Sequence, residues 1–199
     1  MITTAQMKEL ENNAVQRGIS KLQLMEAAGR GVFNVLSGKF DLPNKNVLIV
    51  CYHGNNGGDG FVAARYLCDI CEVDVLFLGD EDKLKDDANA NYKRIMHNEK
   101  IQFLSLEDVS FDDYDVIIDA ILGVGIQGAL KPELINALEQ MNSSRAFKVA
   151  VDIPTGLNPD TGEQLEKVFN ADLIITFHDI KPGLESLKER IDVVDIGLR

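Results

Sequence analysis

The sequence predicts an α/β protein: a doubly wound three-layer αβα sandwich with a mostly parallel central sheet, preceded by N-terminal helices. Two observations predict this class. Short apolar runs without polar alternation, such as 47–51 and 116–118, are typical of strands that are buried on both faces. These runs alternate along the chain with segments of helical periodicity, as repeated βαβ units require.

The individual elements follow from local patterns. Two amphipathic segments, 4–17 and 21–36, predict helices, the second with Ser20 as its N-cap. Later helices are predicted at 60–68, 83–97 and 132–141, the last opening with Pro132. Strands are predicted at 47–51, 73–78, 102–104, 116–118, 149–151, 173–176 and 192–195.

Composition limits the kind of protein. A chain of 199 residues that is 45% hydrophobic can bury a full core, and we expect one domain over residues 1–199. The net charge of -12 argues against a nucleic-acid or anionic membrane partner. Without a segment of spanning length or a signal-peptide pattern, and with an odd number of cysteines read as reduced thiols, the chain is expected to be cytoplasmic. Cys68 and Cys71 have redox or metal spacing but no second pair, so they are interpreted as buried thiols.

Residues 54–60, Gly-Asn-Asn-Gly-Gly-Asp-Gly, join the first predicted strand to a helix. Such a turn leaves backbone N–H groups uncovered at a helix start, where they favour phosphate-like anions. Asn55, Asn56 and Asp59 add oxygens that could bind a ribose, an amide or a hard cation. A tight turn in which glycine serves geometry alone is the alternative. The spacing matches neither a P-loop nor the usual dinucleotide fingerprint.

Two further polar clusters, 119–128 and 152–157, each follow an apolar run. Because parallel strands end at one edge of a sheet, we expect all three clusters to converge there. Asp119 and Asp152 would suit acid/base work if one pKa is raised, or cation binding if both stay ionised. A capping or loop-bracing role is the alternative for each. Thr155 can present a hydroxyl at the same edge.

The 119–128 cluster contains a second glycine loop, with Gly123, Gly125 and Gly128. This loop predicts another close approach of backbone to a ligand, and a purely structural turn is the alternative. His53 and His178 have no nucleophile in a recognisable arrangement, so neither is assigned a catalytic role.

In order and spacing, the stretches 55–60, 119–125, 152–156 and 181–184 closely resemble the YjeF N-terminal domain family, the NAD(P)H-hydrate epimerases. The similarity extends from Leu-Met-Glu-Ala-Ala-Gly at 24–29 to residue 198. The resemblance implies a Rossmann-like fold and an isomerase that interconverts the R and S epimers of hydrated NADH or NADPH. This step repairs a damaged metabolite ahead of a dehydratase that acts on one epimer.

The resemblance also implies site residues and a potassium ion. The cation would be held by Asn56, Asp119 and Thr155, and Asp152 would contact substrate and is our candidate catalytic acid/base. The substrate-binding positions are Asn55, Asn56, Gly57, Gly58, Asp59, Gly123, Val124, Gly125, Ile126, Gln127, Gly128, Ala129 and Asp152. The chain departs from the family by having Tyr52-His53 where Gly-Pro is usual, which puts two rings near the expected ligand path.

The alternative to the enzyme is a non-catalytic nucleotide-binding or dimerisation module of the same fold. Retention of Asp119, Asp152 and an intact Asn-Asn-Gly-Gly-Asp favours the enzyme. Because the chain ends at Arg199, the dehydratase is expected to be a separate protein. The helices around Met25 would form a homodimer face, as the family suggests, or would pack within the chain.

Overall fold

The computed structural model describes residues 1–84, 86–125 and 128–198. Within these ranges the elements, in chain order, are α1 (Thr4–Gln16), α2 (Lys21–Lys39), β1 (Asn46–Cys51), α3 (Asn55–Leu67), β2 (Glu72–Phe77), α4 (Asp86–Ile95), β3 (Ile101–Leu104), β4 (Val116–Ala120), α5 (Pro132–Ser143), β5 (Phe147–Val151), β6 (Leu173–Phe177) and β7 (Ile191–Val194). A 3₁₀ segment, Pro182–Arg190, connects the last two strands.

The strands form one sheet in the order β3-β2-β1-β4-β5-β6-β7. Every pairing is parallel, so the expected mostly parallel sheet is confirmed. The chain winds outward from β1 to β3 and then returns to place β4 on the other side of β1. This reversal is a topological switch point, where the loops after β1 and β4 separate and leave a crevice for a ligand.

Alternate side chains of the strands point into two hydrophobic cores. Ile49 and its same-face neighbours pack under α1, α2, α3 and α4. Leu48 and Val50 face the other way and pack under α5 and the 3₁₀ segment. The three-layer sandwich is therefore confirmed, and the two N-terminal helices join the layer that contains α3 and α4.

Local signals start the N-terminal helices as expected. Ser20 caps α2 by accepting a hydrogen bond from Gln23 N, and the Gln23 side chain in turn accepts one from Ser20 N. Thr3 and Gln6 form the same reciprocal capping box at α1. No helix of the described part of the chain has the length and apolar content to cross a membrane.

Helix α3 begins at Asn55, five residues before the predicted start. The glycines of residues 54–60 are thus mostly inside the helix. A Cβ on Gly57 would lie 1.8 Å from the carbonyl oxygen of Tyr52, and one on Gly60 would lie 2.6 Å from Cβ of Ala120. Glycine lets α3 lie directly against the ends of β1 and β4. Sequence reasoning missed this because glycine disfavours helix interiors.

Helix α4 is shorter than predicted. It begins at Asp86 and ends at Ile95, whereas periodicity predicted 83–97. A separate 3₁₀ turn, Glu81–Lys83, precedes it.

Candidate functional site

A cavity of about 300 Å³ opens at the carboxyl edge of the sheet, at the switch point between β1 and β4. This volume is at the lower end of the range for small-molecule sites. Its walls come from α1, α2, the first turns of α3 and α4, the end of β6, and the chain after β4, β5 and β7. Polar and glycine residues that line it include Glu11, Lys21, Asn55, Asn56, Asp59, Asp87, Gly123, Gly125 and Asp152.

The three polar clusters therefore converge as expected, although not with every residue. Of the predicted substrate contacts, Asn55, Asn56, Asp59, Gly123, Val124, Gly125 and Asp152 line the cavity. Gly57 and Gly58 instead lie inside α3, against Tyr52 and Met25. Gly128 and Ala129 are exposed outside it, and Ile126 and Gln127 lie outside the described residues. For all of these residues, contact with substrate stays a prediction.

Asp152 directly follows β5 and has its backbone in the left-handed region, at φ 62°. Its Oδ1 accepts hydrogen bonds from Lys181 Nζ at 2.5 Å, Thr176 Oγ1 at 3.1 Å and Phe177 N at 3.4 Å. The side chain is 11% exposed and lines the cavity. The strained backbone and the three donors together hold this carboxylate at a defined position.

Lys181 was not among the predicted site residues. Its side chain is completely buried, and its ammonium also donates to Thr176 Oγ1 at 2.9 Å and to the Phe177 carbonyl at 3.0 Å. All three ammonium protons thus have acceptors. A buried charge without a counter-ion is too costly, so Lys181 and Asp152 require each other. A lysine so soon after the apolar strand β6 was the signal in the sequence.

Asp119 lies within β4, is fully buried, and is absent from the cavity lining. Its Oδ1 accepts from Ile121 N at 3.1 Å and Thr155 Oγ1 at 2.7 Å, and its Oδ2 accepts from Thr155 N at 2.7 Å. Burial raises the pKa of Asp119 to about 6, and these hydrogen bonds oppose the rise. Of the two strand-end aspartates, only Asp152 lines the cavity.

Three more acidic residues, Glu11, Asp59 and Asp87, line the cavity beside Asp152. Burial, followed by the charge of Asp152, raises the pKa of Glu11, while Lys21 and Lys181 act in the opposite direction. Burial also raises the pKa of Asp59 well above its usual value, with further contributions from Asp152 and Glu11. Because neighbouring negative charges repel one another, protonation of some of these carboxylates is favoured. Sequence reasoning missed Glu11, although a carboxylate on the buried stripe of an amphipathic helix is a signal.

The three residues expected to hold potassium meet near Leu122 and Gly123. Leu122 N donates to Thr155 Oγ1 at 3.0 Å, and a Cβ on Gly123 would lie 3.3 Å from Asn56 Oδ1. Asn56 is 7% exposed, and its Nδ2 has no hydrogen-bond partner. Within the described ranges, no group of three or more His, Cys, Asp or Glu is placed to hold a metal. The amide, hydroxyl and carboxylate oxygens present fit a hard cation.

The family model for the YjeF-related protein N-terminus matches residues 21–183. The chain belongs to this family. The NAD(P)H-hydrate epimerase of Nitrosopumilus maritimus is 35% identical over 94% of this chain and 89% of that protein. The protein of the same name from Elusimicrobium minutum is 38% identical, over 99% and 95% respectively.

A longer kind of relative is also found. The bifunctional NAD(P)H-hydrate repair enzyme Nnr of Archaeoglobus fulgidus is 40% identical over 99% of this chain but only 41% of its own length. The chain thus spans about two fifths of the bifunctional relatives it matches. The crystal structure of the yeast protein ynu0 superposes with a TM-score of 0.81 at 23% identity, covering 97% of this chain and 86% of that one. This likeness supports the fold.

The departure at Tyr52-His53 leaves the cavity clear. Neither residue lines it, and Tyr52 is buried in the core under α5, on the other face of the sheet. The two rings lie 3.9 Å apart, and the Lys131 ammonium is 5.5 Å from the centre of the Tyr52 ring. His53 Nδ1 accepts a hydrogen bond from Asp80 N at 3.3 Å. These side chains brace the loop after β1 from behind.

The cysteines are free thiols: Cys51 and Cys68 are buried and Cys71 is half-buried. Burial is the main cause that raises the pKa of each, to about 11 for Cys71. They stay protonated at neutral pH, which agrees with their interpretation as packing residues.

Proposed function

We propose that this protein is an NAD(P)H-hydrate epimerase that interconverts the R and S epimers of hydrated NADH and NADPH. Family membership supports the proposal, as do relatives of that name that match over most of their own length. The observation that carries it is Asp152, a carboxylate offered to the switch-point cavity and held in place by the buried ammonium of Lys181.

The chemistry needs proton transfer and positioning. In the hydrate, a hydroxyl group sits on the ring carbon next to the ring nitrogen. When this hydroxyl is protonated, it leaves as water, and the nitrogen lone pair forms a carbon–nitrogen double bond. Water then adds to either face of the resulting iminium and loses a proton. Asp152 is placed to give or take that proton.

The cavity accommodates part of the dinucleotide. Its acidic lining, with Glu11, Asp59 and Asp152, would repel phosphate and suits the uncharged hydrated ring. The pyrophosphate would meet the start of α3, which forms one wall of the cavity and where Gly54 is the N-cap and no side chain caps the helix. Uncapped N–H groups and the helix dipole favour an anion at this position.

We also propose that Asn56, Asp119 and Thr155 hold a potassium ion. When bound, the cation would offset the charge of the buried Asp119 and tie the loops after β4 and β5 to the start of α3. The test is the Tm in potassium chloride and in tetramethylammonium chloride at equal ionic strength. A Tm a few degrees higher in potassium supports the site. Equal values in the two salts would remove potassium from the proposal.

The test of function is a time course with separated epimers of NADH hydrate, purified protein and oxygen-18 water, followed by chromatography and mass measurement. We expect the epimers to mix far faster than they do spontaneously and to gain the heavy oxygen. Mixing with the original oxygen retained would rule out departure of the hydroxyl. A folded protein that binds the hydrate without accelerating mixing would instead be a non-catalytic nucleotide-binding module.

Epimerisation repairs a cofactor only if another enzyme dehydrates one epimer, and we propose such a dehydratase as the functional partner. The expectation that it is a separate protein has no support in the relatives named bifunctional, whose chains extend well beyond the matched region. A homodimer and a cytoplasmic location stay predictions.

A further inference from the structure

Glu11 occupies an unusual place on α1. Met7, one helical turn earlier, lines the same cavity, and Ala14, on the same stripe, is completely buried. The stripe that attaches α1 to the protein thus carries a carboxylate at its centre. Glu9, on the same helix, is exposed to solvent. The half-buried Glu11 is the acidic side chain that α1 contributes to the cavity.

The Glu11 carboxylate has no bonding partner in the described part of the chain. Within the described part of the chain it accepts no hydrogen bond and forms no ion pair, whereas Asp152 is held by three donors. The charge of Asp152 raises the pKa of Glu11, and the charges of Lys21 and Lys181 lower it; Glu11 in turn contributes to raising the pKa of Asp59. A half-buried carboxylate with no partner is available to a ligand.

The start of α1 is attached to the loops that form the Asp152 site. Thr4 donates through N and Oγ1 to the Asp160 carboxylate, at 2.8 and 2.5 Å, in the loop after β5. Ile2 N donates at 2.9 Å to the carbonyl of Ile180, the residue before Lys181. The loops that carry Asp152 and Lys181 therefore also position the helix that carries Glu11.

An independent observation indicates a polar ligand in the same cavity. Asn56 lines the cavity, is 7% exposed, and has an Nδ2 without a hydrogen-bond partner. A buried amide normally finds a partner within the protein. One left unpaired at a cavity wall is suited to a ligand that supplies the missing acceptor.

We propose that Glu11 is the second acid/base group of the cavity, acting with Asp152 on the hydrated ring; this inference rests on the proposed epimerase function. A protonated Glu11 gives its proton to the departing hydroxyl oxygen, the carbon–oxygen bond breaks, and the nitrogen lone pair forms the iminium. Asp152 then takes a proton from the water that adds to the opposite face. Glu11 ends as a carboxylate and Asp152 as a carboxylic acid, and the reverse reaction restores both.

Together, Glu11 and Asp152 therefore carry one proton before and after the reaction, in either direction. Burial and the charge of Asp152 raise the pKa of Glu11, which increases its protonated fraction near neutral pH. Two acid/base groups that differ in environment suit a reaction in which one donates while the other accepts.

The test compares Glu11→Gln with Glu9→Gln, the same substitution at an exposed position of the same helix. For Glu11→Gln we expect kcat to fall at least about 100-fold in both directions, with the Kd for the hydrate little changed. The decline of wild-type activity as pH rises through the Glu11 pKa should disappear from the residual rate. Glu11→Asp should retain that decline with an intermediate kcat, and Glu9→Gln should match wild type.

The outcomes separate this inference from the proposed function. Wild-type protein that does not mix the epimers would refute the epimerase itself. Active wild type together with Glu11→Gln within about threefold of its kcat would refute the role of Glu11 alone. A rise in KM with kcat and the pH profile unchanged would mean that Glu11 only binds substrate, and would also overturn the inference.

Discussion

The ends of β4 and β5 lie side by side in the sheet and each carries an aspartate, yet the two carboxylates have different surroundings. Asp119 is fully buried and bonded to neutral donors from Thr155 and Ile121. Asp152 lines the cavity and is paired with the ammonium of Lys181. Each aspartate takes its main partner from the loop after the next strand. The neighbouring loop, rather than the strand-end position, therefore decides the role of each aspartate.

The two carboxylates also act on different neighbours. The charge of Asp152 contributes to raising the pKa of Glu11 and Asp59, both in the cavity. The charge of Asp119 contributes instead to raising the pKa of Cys51, which is buried in β1. Asp152 thus influences the chemistry of the cavity, while Asp119 braces the loops behind it.

The largest expected effect is on catalysis. Asp152→Asn should lower kcat by about 1,000-fold, because it removes the acid/base group while asparagine tolerates the left-handed backbone at φ 62°. Epimer mixing measures the rate, and circular dichroism checks the fold. Asp86→Asn makes the same change at another left-handed aspartate, exposed and outside the cavity lining, and should be neutral. Normal turnover by Asp152→Asn would break the distinction between the two strand ends.

The next effect is on stability. Lys181→Met leaves the Asp152 carboxylate without its counter-ion and should cost about 3 kcal/mol in the free energy of unfolding. Urea titration measures this, with Lys188→Met, on the 3₁₀ segment that follows Lys181, as an exposed control. Adding Asp152→Asn to Lys181→Met should recover part of the loss, since the two residues are coupled. Equal stability of Lys181→Met and the control would show that the ion pair is not important.

At the end of β4, beside Asp119, a smaller effect on stability is expected. Thr155→Val removes the hydroxyl that bonds Asp119 and Leu122. This substitution should lower the free energy of unfolding by about 1 to 3 kcal/mol and should abolish any response of Tm to potassium. Thr155→Ser keeps the hydroxyl, so it should lose less than about 1 kcal/mol and retain the response. Urea titration and melting curves distinguish them. If serine behaved like valine, the hydroxyl would not be what stabilises Asp119.

The smallest expected effect is on the pKa of Glu11, and it distinguishes the electrostatic influence of Asp152 from that of Asp119. Carbon-13 titration of the Glu11 carboxyl should show a lower pKa in Asp152→Asn than in wild type, since a negative charge that raises it has gone. Asp119→Asn should leave the Glu11 pKa nearly unchanged, because Asp119 is not among the causes of its shift. Equal shifts in both variants would mean that the cavity does not distinguish the two carboxylates.

The sequence by itself determined the fold class, the order of the elements and the three clusters that meet at the cavity. Apolar runs, helical periodicity and caps such as Ser20 act over a few neighbouring residues, so they can be read locally. Convergence of the strand ends follows from parallel topology, and this rule alone predicts that Asn55, Asn56 and Asp152 lie at one edge of the sheet.

Only the tertiary structure decided which polar groups serve which purpose. The start of α3 at Asn55 depends on close packing of Gly57 and Gly60 against distant strands. Lys181 lies 29 residues after Asp152, and Glu11 lies on the first helix; local patterns mark both as unusual but do not show that they meet at Asp152 and its cavity. Whether a carboxylate is braced, paired or left free depends on burial and on partners brought together by folding, because those set its electrostatic energy.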